Sequence, residues 1–479
     1  MRGTQVRQAA NFLEIEPLMK FMKNILAIEL LVLICSCVWV CTANTCSAGD
    51  TVSLNGTDSD WPQWLGPRRD GVWRETGILE KFPVNGPAVR WRREISAGYS
   101  GPAVANGKVY VTDRVLAKGT TNPADPFKRG EIPGTERVLC LNEADGSVLW
   151  KHEYDCGYTV SYPSGPRATP IIHDKKLYTL GTEGNLFCLD AENGNVIWKH
   201  ELKIDYGVES PLWGFSANPL LDGNKLICMV GGKDHTVVAF DKDTGKEIWK
   251  ALSSQQVGYC PPMIYEAGGK RQLIICHAES INSLDPETGS VYWSQPFAAK
   301  MGLAIPTPRL MGDMLFFTNF YDGSMMLHLD PDKPAASVLW KGATHNENKT
   351  DMLHSIISTP FLEDGHIYGV CSYGQLRCLD ASNGSRLWET YEATGGKNMR
   401  WANAFIIKNG DRFFLANEQG DLIIAKLSPK GYEEISRAHL LEPTSSAMGR
   451  NVVWSHPAFA NHCVYARNDK EIICVSLAK

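Results

Sequence analysis

The feature that most constrains the fold of this chain is a repeated segment: an apolar strand, an acidic or amide residue, a glycine turn and a tryptophan. Successive copies end at tryptophans spaced 48, 51, 44, 47 and 48 residues apart: Trp150, Trp198, Trp249, Trp293, Trp340 and Trp388. Alternating apolar residues around Asp-Gly, Asn-Gly or Thr-Gly turns predict antiparallel strands joined by tight hairpins. A period of roughly 40 to 50 residues with about four short strands is typical of a β-propeller blade.

Each unit begins with a proline or a small residue before a short strand. Eight such starts occur: Pro102, Pro170, Pro219, Pro262, Pro308, Pro360, Ala404 and Pro457. The last unit stops before a tryptophan hairpin can form, whereas Val89 to Arg92 have the pattern of an isolated outermost strand. Pairing of these two ends removes exposed sheet edges. We therefore predict an all-β fold, an eight-bladed β-propeller whose last blade is closed by the N-terminal strand.

Two repeat positions predict packing rather than chemistry. Seven of the 14 tryptophans, with Trp91 included, occupy one position, where a large ring can pack between blades, and a degraded seventh copy from Leu422 to Ile435 lacks the tryptophan. Four cysteines share another position, which Ala239 and Ser283 hold in other units: Cys140, Cys188, Cys378 and Cys474. Equivalent positions in different blades lie farther apart than the Cα distance of about 5.5–6 Å of a disulfide. We expect buried thiols.

The N-terminus predicts export. An apolar run at residues 25–40 follows Lys20 and Lys23, and small residues come after it, as in a secretory signal. An uncleaved signal anchor is an alternative, as is lipidation of a cysteine in this region: Cys37, Cys41 or Cys46. The start of translation is also open, since Met19 and Met22 are candidates.

These observations divide the chain into three parts: a targeting segment at 1–48, an N-terminal extension at 49–87 and the propeller at 88–479. We expect an exported protein of the periplasm or cell envelope. Contact with a membrane is expected only through the signal or a lipid anchor.

Charge and motifs exclude several function classes. The 48 Lys and Arg residues nearly balance 53 Asp and Glu residues, so the net charge is −5, whereas a general nucleic-acid binder needs a strong cationic surplus. The cysteines from Cys140 onwards show no Cys-x-x-Cys pair, and no phosphate loop, nucleophile elbow or HExxH motif occurs. We predict no metal site and assign no catalytic residue.

The loops that enter the innermost strands of a propeller converge on one mouth of its channel, the usual place for a ligand. Nine residues on these loops are predicted to bind it: Tyr99, Arg167, Trp213, Tyr259, His354, Arg400, Trp401, Arg450 and Trp454. Arginines and aromatic rings suit an anionic, planar or peptide ligand. Alternatively, these residues plug the channel and satisfy one another, and Arg167 clamps backbone carbonyls of its own loop.

The third copy of the repeat, from Ala239 through Asp241, Thr244 and Gly245 to Trp249, resembles the tryptophan-docking motif of quinoprotein dehydrogenases. Residues 88–479 resemble the eight-bladed repeat family that is similar to pyrroloquinoline-quinone (PQQ) enzymes. The opening from Asp60 to Val72 is similar to the segment before such propellers in exported planctomycete-type proteins. The outer-membrane β-barrel assembly lipoproteins are the branch of this family that the chain is similar to.

The resemblance implies a fold more than a function, because the family contains dehydrogenases, an assembly lipoprotein and sensor domains of kinases. The adjacent cysteine pair typical of its quinone-dependent alcohol dehydrogenases is absent, and their calcium ligands and catalytic Asp match no particular position. The leading hypothesis is an exported, non-catalytic propeller without a cofactor that binds an envelope protein, a peptide or a small ligand. The alternative is a PQQ- and calcium-dependent alcohol or sugar dehydrogenase.

Overall fold

The computed structural model describes residues 59–479, so the predicted targeting segment and its alternatives lie outside the described residues. The described chain forms eight four-stranded antiparallel sheets and one two-stranded hairpin. In each sheet the outermost strand is the most exposed, as in the blade of a propeller. The predicted all-β, eight-bladed architecture is confirmed. Within residues 59–479, no helix is both long and apolar enough to cross a membrane.

Blades 1 to 4 each consist of four consecutive strands. Blade 1 contains β2 (Ala103–Ala105), β3 (Lys108–Leu116), β4 (Gly134–Asn142) and β5 (Val148–Asp155). Blade 2 contains β6 (Ile171–His173), β7 (Lys176–Leu180), β8 (Asn185–Asp190) and β9 (Val196–Glu201), followed by the short helix α1 (Leu202–Asp205). Blade 3 contains β10 (Leu220–Asp222), β11 (Lys225–Met229), β12 (Val237–Asp241) and β13 (Glu247–Ala251). Blade 4 contains β14 (Met263–Ala267), β15 (Lys270–Cys276), β16 (Ser280–Leu284) and β17 (Val291–Pro296).

Blades 5 to 8 continue the ring. Blade 5 contains β18 (Arg309–Met311), β19 (Met314–Asn319), β20 (Gly323–Leu329) and β21 (Ala336–Lys341). Blade 6 contains β22 (Phe361–Glu363), β23 (His366–Val370), β24 (Leu376–Asp380) and β25 (Arg386–Thr390). Blade 7 contains β26 (Ala404–Asn409), β27 (Arg412–Asn417), β28 (Asp421–Ser428) and β29 (Gly431–His439), and the hairpin of β30 (Ser445–Ala447) and β31 (Arg450–Val452) follows. Blade 8 contains β32 (Ala458–Ala460), β33 (Cys463–Arg467), β34 (Glu471–Ser476) and, from the other end of the chain, β1 (Val89–Glu94). Two 3-10 turns occur at Lys300–Gly302 and Glu392–Thr394.

The two ends of the chain close the ring. Strand β1 pairs antiparallel with β34, with Trp91 opposite Cys474 and Glu94 opposite Glu471. No tight turn joins these two strands, because one ends the chain and the other begins the propeller. The N-terminal strand therefore completes blade 8, as the sequence predicts.

Most repeat tryptophans dock onto the corner of the next blade. The indole Nε1 of Trp91, in blade 8, donates a hydrogen bond to Glu143 O in blade 1 at 2.8 Å. Its ring lies against Gly146, where an added Cβ would come within 2.6 Å of the indole. The same pairing joins Trp150 with Gly194, Trp198 with Gly245, Trp249 with Gly289 and Trp340 with Gly384. The corner glycine is required both for its positive φ and because any side chain would overlap the docked ring.

Trp388 of blade 6 donates to Ser428 O of blade 7 at 2.8 Å, but no ring lies against Gly431, the glycine of that corner. Two further junctions lack the docked tryptophan, and both have structural reasons. Blade 5 has no glycine in its corner at residues 331–335, and Trp293 of blade 4 donates instead to Gln272 Oε1 of its own blade at 2.8 Å. Blade 8 has no corner between β34 and β1, so blade 7 has nothing for a tryptophan to dock onto. In the strand register Ser436 stands at that position, opposite Ile424, and its Oγ accepts a hydrogen bond from Phe82 N at 2.9 Å.

The repeat cysteines pack against the same tryptophans. Cys140 lies opposite Trp150, and Cys378 lies opposite Trp388 in the strand register. All ten cysteines between residues 59 and 479 are free and buried, which confirms the expected thiols.

The N-terminal segment from Trp61 to Phe82 is part of the propeller core. It forms a β-bridge to Val104 in blade 1 at Trp61 and one to Ala478 beside blade 8 at Ile78. Between these points it crosses the ring: Pro62 O accepts a hydrogen bond from Ile172 N in blade 2, and Trp73 N donates to Lys408 O in blade 7.

Arg69 anchors this crossing segment at the end of the channel that the segment covers. It is 2% exposed, and its guanidinium donates to three backbone carbonyls of blades 3 and 4: Pro219 O at 2.8 Å, Asn218 O at 3.3 Å and Pro262 O at 3.4 Å. From blade 5, Arg309 donates to Arg69 O and Asp70 O. The segment therefore lies across one end of the central channel, and burial lowers the pKa of Arg69 to about 10.

The docking contact predicts a difference between two glycine substitutions in blade 1. Gly146 and Gly107 both have positive φ, 69° and 73°, but only Gly146 lies against a tryptophan; around Gly107 there is open space. We expect Gly107→Ala to cost about 1 kcal/mol of unfolding free energy from backbone strain. Gly146→Ala should cost about 1–3 kcal/mol more, because its methyl group overlaps Trp91. Urea denaturation of both variants measures this difference, and equal losses would contradict the docking account.

Candidate binding site at the channel mouth

The loops that enter the innermost strands surround a cavity at one mouth of the channel. Its volume is about 980 Å³ with the part that opens to solvent. Aromatic and aliphatic side chains form most of its wall, and the lining residues are Trp64, Tyr99, Tyr162, Arg167, Trp213, Ser216, Asn218, Tyr259, Pro261, Leu303, Ile305, Ile356, Ile357, Trp401, Phe405, Trp454 and His456. Such a cavity buries the apolar part of a ligand and orients it with a few polar groups.

Six of the nine residues predicted from the sequence line this cavity: Tyr99, Arg167, Trp213, Tyr259, Trp401 and Trp454. They come from the loops before blades 1, 2, 3, 4, 7 and 8. Burial raises the pKa of Tyr99 and of Tyr259 to about 12, so both phenols are neutral near pH 7. Their assignment as ligand contacts stays a prediction.

The other three predicted residues are not brought to the cavity wall. Arg450 forms a two-point ion pair with Glu418, with N–O distances of 2.7 and 2.9 Å, and Arg400 pairs with Glu347 at 2.8 Å. His354 is fully buried, within hydrogen-bonding distance of Phe320 O and Thr344 Oγ1. Burial lowers its pKa, which favours the neutral imidazole. These three side chains satisfy other residues of the protein, as the alternative interpretation of the mouth proposes.

Arg167 both lines the cavity and holds its own loop. Its guanidinium donates to Ser161 O at 3.0 Å, to Tyr162 O at 2.6 Å, to Gly165 O and to Thr182 Oγ1. It also lies over the ring of Tyr99, at 5.2 Å from the centroid. These hydrogen bonds are the backbone clamp that the sequence analysis gives as the alternative role of Arg167. None of the four accepting oxygens carries a charge.

Tyr162 and Trp401 form one aromatic wall. Their ring centroids lie 5.8 Å apart, and both rings contact Trp454, at 6.0 and 6.1 Å. Both residues have positive φ, 53° and 64°, which is rare for bulky side chains and costs about 1–3 kcal/mol each. Each also buries a polar atom without a hydrogen-bond partner, the Tyr162 hydroxyl and the Trp401 Nε1. A fold that maintains two strained residues with two unsatisfied polar atoms in one wall marks this wall as a functional candidate.

A loop inserted in blade 1 covers part of this wall. Phe127 packs against Tyr162 and Trp401, with centroids 5.1 and 5.8 Å apart, and remains 39% exposed. The backbone of the loop is tied to the wall because Tyr162 N donates to Pro126 O. The insertion therefore forms one side of the entrance.

Trp64 and His456 form the floor. The Trp64 Nε1 donates to Thr307 Oγ1 at 3.0 Å, and its ring lies 4.7 Å from His456. Sequence reasoning missed Trp64 as a site residue, because the predicted extension gave no reason to place it inside the channel. The signal that could have identified it is the concentration of Trp61, Trp64 and Trp73 in one short segment.

The side chains that line the cavity do not fit PQQ with a calcium ion. Calcium takes six to eight oxygen ligands, usually including carboxylates, and no Asp or Glu lines the cavity. Among residues 59–479, no group of three or more His, Cys, Asp or Glu side chains is arranged to hold a metal ion. PQQ carries three carboxylates, whereas Arg167 is the only cationic side chain in the lining, because burial holds the pKa of His456 at about 4.

The fold and this cavity define an eight-bladed propeller with an aromatic binding cavity at one end of its channel. The family model described as outer membrane protein assembly factor BamB matches residues 134–328 and 278–479. Together these matches cover more than half of the chain, and the chain belongs to this family.

Individual relatives agree with this assignment. The outer membrane protein assembly factor BamB of Yersinia pestis is 25% identical over 264 residues, which cover 44% of this chain and 64% of that protein, less than two thirds of its length. The crystal structure of BamB from Moraxella catarrhalis, at 16% identity, covers 80% of this chain and 97% of its own with a TM-score of 0.50. Quinohemoprotein alcohol dehydrogenase from Comamonas testosteroni, at 12% identity, covers 88% and 81% with a TM-score of 0.56. At these identities the solved structures establish the shared fold.

His456 predicts how acid affects stability. Burial lowers its pKa from 6.5 to about 4, and its Nδ1 donates to Pro457 O at 2.7 Å. Between these pH values the unfolded chain binds a proton at this residue and the folded protein does not, so stability falls as the pH drops. From pH 6.5 to 4, the wild type should lose roughly 3 kcal/mol more unfolding free energy than His456→Gln. Denaturation at both pH values measures this, with the exposed His345→Gln as control; parallel losses in wild type and His456→Gln would contradict the assignment.

Proposed function

We propose that this protein is an exported, non-catalytic binding module of the cell envelope, and that it recruits a protein partner at the channel mouth. Membership in the BamB family supports a role with protein partners, since the relative from Yersinia pestis is described as an assembly factor for outer membrane proteins. The predicted signal supports export.

The observation that carries the proposal is the composition of the cavity and its rim. Eight of the lining side chains are Trp, Tyr or Phe, and no carboxylate lines the cavity. Two further apolar side chains at the entrance are exposed, Phe127 at 39% and Met301 at 42%. Aromatic residues and methionine are enriched where proteins bind one another, and a central pocket with an apolar anchor is the usual arrangement of such a site.

The same residues provide little for catalysis. A general acid or base needs a pKa near the working pH and a position within hydrogen-bond reach of the reacting group. His456 stays neutral because burial lowers its pKa to about 4, and Arg167 donates to four oxygens of its own loop and its neighbour. Binding without chemistry is therefore the function that this site supports best.

Site-specific photo-crosslinking in the envelope of cells that produce the protein tests the proposal. A benzophenone side chain is placed at Met301, on the loop before blade 5 two residues from the lining residue Leu303, and separately at Leu387, a 45% exposed residue of the outermost strand β25. We expect a discrete protein adduct from Met301 and none of the same mass from Leu387.

A matched variant links the adduct to the cavity. Trp213→Ala removes a lining side chain that packs edge-to-face against Tyr259 with centroids 5.8 Å apart, and should reduce the Met301 adduct by at least tenfold while the protein remains folded. Absence of any adduct at Met301, or the same adduct at Met301 and Leu387, would refute binding at the mouth.

A further inference from the structure

The charge balance of the cavity extends the proposed function to a ligand class. Arg167 is the only cation of the lining, and none of its four partners is a carboxylate. One of these partners, Thr182, donates its own N–H to Oε1 of the buried Glu136. Glu136 also accepts from two tyrosine hydroxyls, those of Tyr154 and Tyr158, and so has its own partners.

Two other arginines near the mouth have carboxylate partners. Glu347 and Glu418 pair with Arg400 and Arg450. Two further carboxylates accept local hydrogen bonds: Asp125 from Phe127 N, and Asp469 from Gly98 N and Ser445 Oγ. The cavity therefore presents one positive charge without a paired anion.

The aromatic wall adds hydrogen-bond donors without acceptors. The Tyr162 hydroxyl and the Trp401 Nε1 are buried and unpartnered, and an indole N–H can only donate. Leaving a buried donor unsatisfied is costly, and a ligand oxygen removes that cost. The rings that carry these donors provide faces on which another flat ring can stack.

We infer that the channel-mouth cavity binds an aromatic ring that carries one carboxylate. The ring packs among Tyr162, Trp401 and Trp454, and the carboxylate accepts from the unpartnered donors of this wall within the field of Arg167. Two sources share this chemistry: a free aromatic acid and the terminal aromatic residue of a protein chain. The inference rests on the proposed function, because it specifies what the same site recognises.

Calorimetric titration of the purified protein with matched probes tests this. We expect 3-phenylpropionate to bind with a Kd at least tenfold below that of its uncharged amide and that of 3-cyclohexylpropionate, which lacks the flat ring. N-acetyl-glycyl-phenylalanine and its C-terminal amide form the second arm. Tighter binding of this dipeptide acid than of 3-phenylpropionate assigns the ligand to a chain terminus, and the reverse order assigns it to a free acid. Equal binding of acids and amides, or no saturation by any acid at millimolar concentration, would overturn the inference.

Conservative variants separate recognition from folding. Tyr162→Phe keeps its ring and removes only a hydroxyl that has no partner, so it should weaken 3-phenylpropionate about tenfold without lowering the melting temperature. Trp401→Phe should weaken it about tenfold as well, and it should lower the melting temperature because a smaller ring leaves a gap in the wall. Trp388→Phe is the matched control, because its Nε1 donates to Ser428 O at 2.8 Å; it should lower the melting temperature and leave the affinity unchanged. Arg167 is left intact because it also holds its loop. Unchanged affinity in both wall variants would refute the assignment.

Failure of this inference and failure of the proposed function have different signatures. A protein that gives the Met301 adduct but binds none of the probes retains the proposed function and loses the aromatic-carboxylate ligand. A protein that binds the probes but gives no adduct retains the ligand class and loses the protein partner.

Discussion

Five of the eight junctions between neighbouring blades depend on one contact, an indole placed on the corner glycine of the next sheet. At Trp91 and Gly146 this contact joins the last blade to the first, with the indole N–H on Glu143 O at 2.8 Å. It combines burial of a large ring with satisfaction of a backbone carbonyl, and it needs no other side chain. Blades that differ elsewhere in sequence can therefore be joined in the same way, and the loops at the mouth are free to vary.

The crossing segment lies across one end of the central channel. Arg69 binds this segment to backbone carbonyls of neighbouring blades, and the ring of Trp64 lines the cavity. Residues far apart along the chain thus share one wall and one floor. The anchor costs the burial of a cation, Arg69. Two aromatic residues of the wall also have strained backbone, a feature that a purely structural ring would have no reason to keep.

The propeller could be predicted from the sequence because its information is local and repeated: strand, corner glycine and tryptophan all lie within one unit. The loops of the mouth followed from the same register, and so did Trp213, Tyr259 and Trp454. The sequence could not separate Arg167 from Arg400 and Arg450, because the partners of the latter two, Glu347 and Glu418, lie on loops of other units. Trp64 could not be placed because its position depends on how the segment threads the ring.

The central claim is that a partner binds at the channel mouth rather than on the outer faces of the blades. Hydrogen–deuterium exchange of the protein, alone and in complex with its isolated partner, measures this most directly. The account predicts slower exchange in the mouth loops at residues 159–167, 211–215 and 398–402, with the outermost strands β5, β9 and β13 unchanged. Protection confined to those outermost strands, with the mouth loops unaffected, would contradict it.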